Sequence, residues 1–470
     1  MANSGETTLA LTGNTYLAQP VSGLRDERFL KVVEFLRNAD ASFTNMECTI
    51  QDGSDWPSYA AGMGWSATYM GGTSQMVEEL QFLGVNAVCV ANNHSADFAE
   101  AGILTTIRHL KAGGLPYTGI GASLTEAADA CYYDTPTGKR VAFLAACDWG
   151  ARGAMGLTFP WPHGYLPSDD AAPFKRRPGI NLLRYGTVNY VSREALGHLR
   201  QVSADLGWEA DKVMRREGFW RSHPLVGPVS NVGWEVDTDD EFFFMGRKFV
   251  AGDKPGSSTF AYQEDLDRIF KHIREARRQA DIVVVALHDQ SHGAGVHDYI
   301  DTFAHGAIDA GADVYLNNGG SHKGIEIYKG KAIIHGQPGL FLQTEAVTHV
   351  PSSEMPRYGV SPDGTAADFI DARAAAAARA VEASGGRAGI GGSQGSAVHV
   401  AVFNNNNELK EIRIQPLEPS KGPRFRSGLP LMPEPGSEIS KQVLDFSVEV
   451  SKVFGTKVEV QDGMGVAKVK

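Results

Sequence analysis

The sequence predicts an α/β protein, and two features of the chain support that prediction. Between residues 8 and 150, short apolar runs alternate with amphipathic segments of helical period. The same alternation resumes after residue 258. Strands that alternate with helices favour a largely parallel sheet covered on both faces, and ligands of such sheets gather at the carboxyl ends of the strands.

The first part of the chain contains four predicted strands and three predicted helices. The strands are predicted at residues 9–12, 41–45, 85–91 and 141–146. The helices are predicted at residues 25–37, 74–83 and 100–112. Residues 151–258 break this rhythm, and we expect them to form an insertion with its own small core that covers the substrate.

The second part returns to the α/β pattern. Apolar runs predict strands at 282–287 and 313–316, amphipathic segments predict helices at 262–280, 298–310 and 438–454, and hairpins are expected at 324–334 and 397–414. Residues 370–396 are rich in Ala and then Gly, which indicates a helix that leads into a loop. Residues 1–150 and 259–470 are therefore predicted to form one main domain.

Composition limits the possible partners. The chain has 470 residues and a formal net charge of -11, which argues against general attraction to nucleic acid or to an anionic membrane. The N-terminal residues lack a basic segment followed by a long apolar run, so we expect a cytoplasmic protein without a membrane anchor. The four cysteines show no CxxC spacing and are expected to be reduced. A homo-oligomer is compatible with these expectations.

Polar side chains follow five of the predicted strands. They are Asn14, Glu47, Asn93 with His94, His288 and His322. Amide oxygen, carboxylate and imidazole suit divalent manganese, iron or zinc. Each residue alone is more often a turn residue, a helix cap or a structural histidine, but their recurrence at strand ends favours a shared site.

Several motifs at these positions resemble those of the poly-gamma-glutamate synthesis protein CapA family. They are Asn45-Met-Glu47, Ala91-Asn-Asn-His94, Leu287-His288, Gly311-Ala-Asp313 and Gly324-Ile-Glu-Ile-Tyr-Lys-Gly-Lys331. The resemblance covers nearly the whole chain outside residues 151–258. It implies the calcineurin-like metallophosphatase fold, an α/β four-layer sandwich of two mixed β-sheets flanked by helices, here with a large insertion.

The resemblance also implies roles for individual residues. The expected metal ligands are Asn14, Glu47, Asn93, His288 and His322. His94 would handle the leaving group or stabilise developing charge, and Asp97 would orient its imidazole. His292, on a histidine-rich loop after the strand at 282–287, would add a ligand or a general base, and we group it with the catalytic residues.

Two departures from the family pattern affect the metal. Asn14 stands where the family has an aspartate, and the loop 316–322 keeps one histidine, His322, where the family has two. A two-metal site needs more anionic and imidazole ligands than these, so we predict one divalent ion, manganese, iron or zinc.

Five residues are predicted to contact substrate: Asp289, His297, Asn318, Arg176 and Arg177. The two arginines would bind a carboxylate or phosphate, although charge runs are more often solvated surface.

These predictions lead to two functional hypotheses. The first is a metal-dependent hydrolase that acts on an amide, an ester or lactone, or a phosphoester of a small anionic or short glutamyl substrate. The alternative is a binding or accessory protein of poly-gamma-glutamate or capsule metabolism, on a scaffold that has lost catalysis.

Overall fold

The computed structural model describes residues 5–53, 55, 69–150, 176–210, 237–244, 247–289, 295–319, 322–347, 349–383, 395–422 and 426–469. Within them the chain forms two ten-stranded mixed sheets and nine α-helices, and elements are numbered along the chain. This arrangement is the metallophosphatase-like sandwich that the sequence predicted.

The first sheet has the strand order β23-β24-β21-β20-β1-β2-β5-β6, with β19 beside β1 and β22 beside β21. Its strands are β1 (Thr7–Tyr16), β2 (Ala41–Met46), β5 (Ala87–Cys89), β6 (Tyr117–Thr118), β19 (Phe341–Leu342), β20 (Ser396–Phe403), β21 (Leu409–Pro419), β22 (Pro430–Leu431), β23 (Val458–Gln461) and β24 (Met464–Lys468).

The second sheet has the order β12-β13-β11-β9-β15-β16-β18-β17, with β14 beside β11 and β8 beside β9. Its strands are β8 (Cys131–Asp134), β9 (Arg140–Gly150), β11 (Leu182–Val191), β12 (Glu241–Phe244), β13 (Arg247–Ala251), β14 (Gly256–Ala261), β15 (Ile282–His288), β16 (Val314–Asn318), β17 (Gly324–Tyr328) and β18 (Lys331–Gln337). Two small pairs complete the strands: β3 (Thr49–Gln51) with β4 (Gly71–Thr73), and β7 (Ile120–Gly121) with β10 (Gly179–Ile180).

The helices lie between these strands in the chain. They are α1 (Glu27–Arg37), α2 (Gln75–Phe82), α3 (Ala99–Ala112), α4 (Leu124–Ala128), α5 (Arg193–Asp205), α6 (Gln263–Arg277), α7 (Asp298–Asp309), α8 (Ala366–Ala383) and α9 (Glu438–Ser451). The N-cap of α1 shows why a helix begins there: the Asp26 side chain accepts hydrogen bonds from the backbone nitrogens of Arg28 and Phe29.

The core lies on both faces of the second sheet. Phe43 of the first sheet stacks on Phe143 of the second with ring centroids 4.6 Å apart, which joins the two sheets. On the outer face, α6 and α7 cover a separate apolar cluster. Every residue of β15 is buried, as the uniformly apolar run at 282–287 predicts for a central parallel strand.

Two elements differ from the predicted pattern. The strand predicted at 85–91 is shorter in the structure, where β5 spans Ala87–Cys89. The hairpin of β23 and β24 was not predicted, although Asp462 and Gly463 at its turn have φ of +50° and +78° and form the Asp-Gly turn typical of hairpins. By contrast, the predicted turn at Lys329 and Gly330 is confirmed, since both residues have positive φ.

Parts of the predicted insertion pair with the second sheet. Strand β11 lies parallel to β9, and β12, β13 and β14 extend the sheet beyond it. Insertion residues 151–175, 211–236 and 245–246, which include Trp220 and Trp234, lie outside the described residues. The division into a main domain and a covering insertion stays a prediction.

Candidate active site

Two amide side chains meet at the carboxyl ends of β1 and β2. Asn14 and Asn45 are register partners in these parallel strands, and the Asn45 amide donates to Oδ1 of Asn14 at 2.8 Å. A Cβ on Gly13 would lie 2.3 Å from the Pro338 carbonyl oxygen, so only glycine allows the segment after β18 to approach so closely. Leu340 then donates its backbone N–H to the Asn14 carbonyl at 2.9 Å.

His288 connects the second sheet to this amide pair. Its Nδ1 lies 3.1 Å from the Asn45 amide nitrogen, and its Nε2 lies 2.8 Å from Oδ1 of Asn93. The ring is therefore held between the amides of Asn45 and Asn93, with Nε2 on the side of Asn93. Oε1 of Glu47 lies 3.7 Å from the same Nε2, and its carboxylate also hydrogen-bonds Asn14. Four predicted ligands therefore surround one position.

The loop after β5 is fixed by Asn92, whose amide donates to the Met46 carbonyl at 2.8 Å and to Asn45 at 3.1 Å. Oδ1 of Asn92 accepts the backbone N–H of His94 at 3.0 Å. Nδ1 of His94 lies 2.8 Å from Oδ2 of Asp97, which also accepts the Met70 backbone N–H at 2.7 Å. Asp97 is therefore within hydrogen-bond distance of the ring that the resemblance expects it to orient, and that role stays a prediction.

Burial and neighbouring charges shift the pKa of the Glu47 carboxyl and the pKa of the His94 imidazole. Burial raises the pKa of the Glu47 carboxyl to about 7, opposed by His94 and by the hydrogen bond of Asn14, while Asp97 adds to the rise. Burial alone would lower the pKa of His94, but the charge and hydrogen bond of Asp97, with Glu47, raise it above its ordinary value. The contacts with Asp97 and Glu47 therefore favour the protonated form of the His94 imidazole.

The alternation of side chains along a strand divides the polar residues of the second sheet into two rows. On the inner face, which packs against the first sheet, His288 pairs in register with Asn318, and Asn318 pairs with Gln337. Both amide atoms of Asn318 are buried without a hydrogen-bond partner in the described part of the chain.

The outer row faces α7. Asp148 and Asp289 directly follow Cys147 of β9 and His288 of β15, which are register partners. Asn317 donates to Asp289 at 2.5 Å. The Tyr299 hydroxyl of α7 donates to Asp148 at 2.5 Å. Burial lowers the pKa of the nearby Lys323 amine, while Asp289 and Asp148 act in the opposite direction. The structure therefore places Asp289 on the opposite face of the sheet from His288.

His322 has different neighbours from the other predicted ligands. Its Nδ1 lies 2.7 Å from the Gly336 carbonyl oxygen, and its ring centroid lies 5.3 Å from that of His399 in β20. Burial lowers the pKa of His322 to about 4, and that of His399 well below its ordinary value. Within the described part of the chain, the two rings form their hydrogen bonds with Gly336 and Gln337, not with Glu47 or His288.

The other predicted residues lie apart. His297 is exposed at the N-terminus of α7, with its ring 6.0 Å from Tyr299. Arg176 and Arg177 are exposed, and His292 lies outside the described residues.

A second group of metal-capable side chains lies between α7 and β17. Asp301, His305 and Glu326 have ligand atoms within 4.8 Å of one another, and they are the one group of at least three His, Cys, Asp or Glu of this kind among the residues that the structure describes. Glu326 is also 3.1 Å from Nε2 of His335. The strand-end cluster differs from this group because Asn14 and Asn93 contribute amide oxygens in place of carboxylates.

Sequence reasoning missed three contributors. Asn45 and Asn92 belong to the quoted motifs, so their polar character at strand ends was the available signal. No sequence signal marked His399, because it lies within an apolar strand, where a buried histidine is usually structural.

These features define a two-sheet α/β protein of the metallophosphatase-like class with an amide-rich site at its strand ends. The sequence profile described as "Bacterial capsule synthesis protein PGA_cap" matches residues 8–337, and the chain belongs to that family. Two proteins of Sinorhizobium fredii, named as uncharacterized proteins y4sH and y4uA, are each 27% identical to it over 479 residues, covering 98% of this chain and 93% of theirs. Among the described helices, none has the length and apolar character needed to cross a membrane.

Proposed function

We propose that the protein is a metal-dependent hydrolase that cleaves an amide, an ester or lactone, or a phosphoester in a small anionic substrate. The observation that carries the proposal is the buried His94–Asp97 pair, 2.8 Å apart, next to the Glu47 carboxylate. A proton donor held beside candidate metal ligands is the arrangement that metal-assisted hydrolysis requires.

The residues at the strand ends fit one divalent ion. Glu47 is buried, and burial raises the pKa of its carboxyl; among the described residues no Lys or Arg forms a salt bridge with it. The 3.7 Å between Glu47 and His288 is too long for a hydrogen bond and close to the spacing of two ligands that each lie about 2.0–2.2 Å from one ion. Asn14 and Asn93 would add amide oxygens. A bound ion supplies Lewis acidity and lowers the pKa of water.

The proton donor is His94. Asp97 holds its Nδ1, so Nε2 carries the proton that is available to a leaving group. The Asp97 carboxylate keeps the imidazolium stable in a buried position. Once the proton is transferred, the neutral ring keeps its orientation because the Nδ1 hydrogen bond remains.

Charge favours an anionic substrate. The site holds the His94 imidazole, whose protonated form Asp97 and Glu47 favour, and the ligands of a divalent cation. Asn14 contributes no negative charge where the family has aspartate. Short glutamyl compounds, which the resemblance to the poly-gamma-glutamate synthesis family suggests, are one such class.

The test is the metal content of the purified protein, measured by plasma mass spectrometry, with Asn93→Ala and His288→Ala variants. We expect each substitution to remove one equivalent of manganese, iron or zinc. His305→Ala serves as the matched control, because it removes a histidine from the group between α7 and β17 instead. If the wild type remains metal-free after reconstitution, the hydrolase mechanism proposed here is wrong.

A binding or accessory role is the second candidate, and the neutral Asn14 favours it. The two candidates separate in a substrate screen of esters, amides and phosphates: turnover that His94→Gln abolishes excludes a purely binding role. Metal-loaded protein that turns over none of these compounds and still binds glutamyl oligomers would support it.

A further inference from the structure

Two buried histidines from opposite sheets lie side by side. His322 precedes β17 and is 2% exposed, and His399 lies in β20 and is fully buried. Their ring centroids are 5.3 Å apart, with an angle of 44° between the rings. Neither residue belongs to the hydrogen-bonded set around Glu47 and His288.

The hydrogen bonds fix the tautomer of each ring. Nδ1 of His322 lies 2.7 Å from the Gly336 carbonyl oxygen, which only accepts. Nδ1 of His399 lies 2.6 Å from Oε1 of Gln337, whose amide nitrogen donates to the Ala397 carbonyl at 3.0 Å. Each ring therefore carries its proton on Nδ1 and presents a lone pair on Nε2.

Both lone pairs lack a partner. Nε2 of His322 and Nε2 of His399 are buried and have no hydrogen bond within the described residues. A buried polar atom without a partner costs stability, so such atoms usually mark a bound ligand or an ordered water. A histidine that ligates a metal typically donates its other ring N–H to a carbonyl oxygen, as both rings do here.

A third donor lies next to the residue that holds His399. Asn318 is the register partner of Gln337, which holds His399, and both amide atoms of Asn318 are buried without a partner. Its side chain is on the inner face of the sheet, the face from which Gln337 reaches His399. Two imidazole nitrogens and one amide oxygen form a donor set that suits a borderline divalent ion.

We propose that His322 and His399, with Asn318 as third ligand, bind a divalent ion such as zinc at a position separate from the one between Glu47 and His288. His399 lies outside residues 8–337, which the family profile matches. It supplies, from the other sheet, an imidazole that the loop 316–322 lacks. Because all three ligands are neutral, the charge of the ion is left for an anionic ligand to balance.

The test is zinc titration of metal-free protein against a chromophoric chelator, with His322→Gln and His399→Gln variants. The matched control is His335→Gln, which removes another buried imidazole that is 1% exposed and stacks on Phe454. We expect the wild type and the control to bind two zinc ions, and the two variants one. The loss of affinity at the affected position should exceed the roughly 10- to 100-fold that removal of an outer partner costs.

Each outcome decides the proposal. If both variants bind as many ions as the wild type, with unchanged affinity, the inference is overturned and the pair holds at most a water. If His288→Ala loses one equivalent while His322→Gln and His399→Gln lose none, the proposed function survives alone. If His322→Gln and His399→Gln each lose one equivalent while His288→Ala loses none, the inference stands and the ligands assigned to the hydrolase are wrong.

A second measurement covers the case in which the glutamine variants fail to fold. Wild-type protein labelled with nitrogen-15 histidine would be titrated with zinc, and the two unprotonated Nε2 signals followed. A shift of both signals upon zinc addition supports the site, and unmoved signals at saturating zinc overturn it.

Discussion

The buried carboxylate of Asp265 offers a test of how the strand β11 is attached to the rest of the protein. Asp265 lies in α6 and is fully buried. It accepts hydrogen bonds from the backbone nitrogen of Arg184 at 2.9 Å, from its Nε at 2.7 Å and Nη2 at 2.9 Å, and from Nη1 of Arg268 at 2.5 Å. Asp265→Asn keeps the shape and removes the charge that both guanidinium groups face.

The expected cost follows from this geometry. Breaking a buried ion pair by neutralising one partner costs about 3–5 kcal/mol, because the remaining charges stay buried. The entropy of unfolding is about 2.1 cal/mol/K per residue, which gives roughly 1 kcal/mol/K for a chain of 470 residues. The midpoint temperature of thermal unfolding should therefore fall by about 3–5 °C if the chain unfolds as one unit.

The pH dependence has a definite sign. The two arginines overcome the effect of burial and lower the pKa of Asp265 below its ordinary value. A carboxyl with a lowered pKa contributes stability above its unfolded pKa, about 3.9, and loses it as the pH falls through the folded pKa. The difference between wild type and Asp265→Asn should therefore persist from about pH 7 to pH 5 and narrow only below about pH 4.

Urea unfolding at several pH values, followed by circular dichroism, measures this difference. Glu264→Gln is the matched control, because Glu264 contacts the same Arg184 but its side chain is 67% exposed. That control should change stability by at most about 1 kcal/mol. Equal effects of the two substitutions, or a difference that disappears between about pH 7 and pH 5, would refute the reasoning.

Three further predictions concern the candidate site. Asp97→Asn should lower the pKa of His94, because it removes the main group that raises it; an unchanged nuclear magnetic resonance titration of His94 would contradict this. Asn14→Asp should tighten manganese or zinc binding about tenfold or more by adding a carboxylate, and weaker binding in a chelator competition would count against the assigned ligand set. Gly13→Ala should destabilise the protein by about 1–3 kcal/mol, because its Cβ would overlap a carbonyl oxygen, whereas Gly197→Ala, in α5 with open space around its Cβ, should stabilise it by about 0.5–1 kcal/mol in urea unfolding.

The grouping of Asn14, Glu47, Asn93 and His288 was predictable from the sequence. Parallel strands place their carboxyl ends at one edge of a sheet, so polar residues that follow each apolar run must come near one another. The motifs added the neighbouring His94 and Asp97.

Other features depended on information that the local pattern lacks. His399 reaches His322 only because β20 pairs antiparallel with β1, and no pattern within 397–403 reveals which strand it joins. The position of Asp289 was accessible from the alternation of side chains along a strand, which turns consecutive residues to opposite faces. Pairing of β11 with β9 depends on strands separated in sequence by more than thirty residues that include the undescribed 151–175.

The alternation of side chains at the end of β15 determines which mutations this strand can accept. The His288 side chain faces the first sheet and the Asp289 side chain faces α7. A single peptide unit therefore separates the imidazole from the carboxylate. Replacing one apolar residue by another within Ile282–Leu287 leaves that order intact. Deleting one residue there, or adding one, would exchange the imidazole and the carboxylate between the two faces. Libraries that vary this strand should therefore tolerate substitutions and reject every change of length.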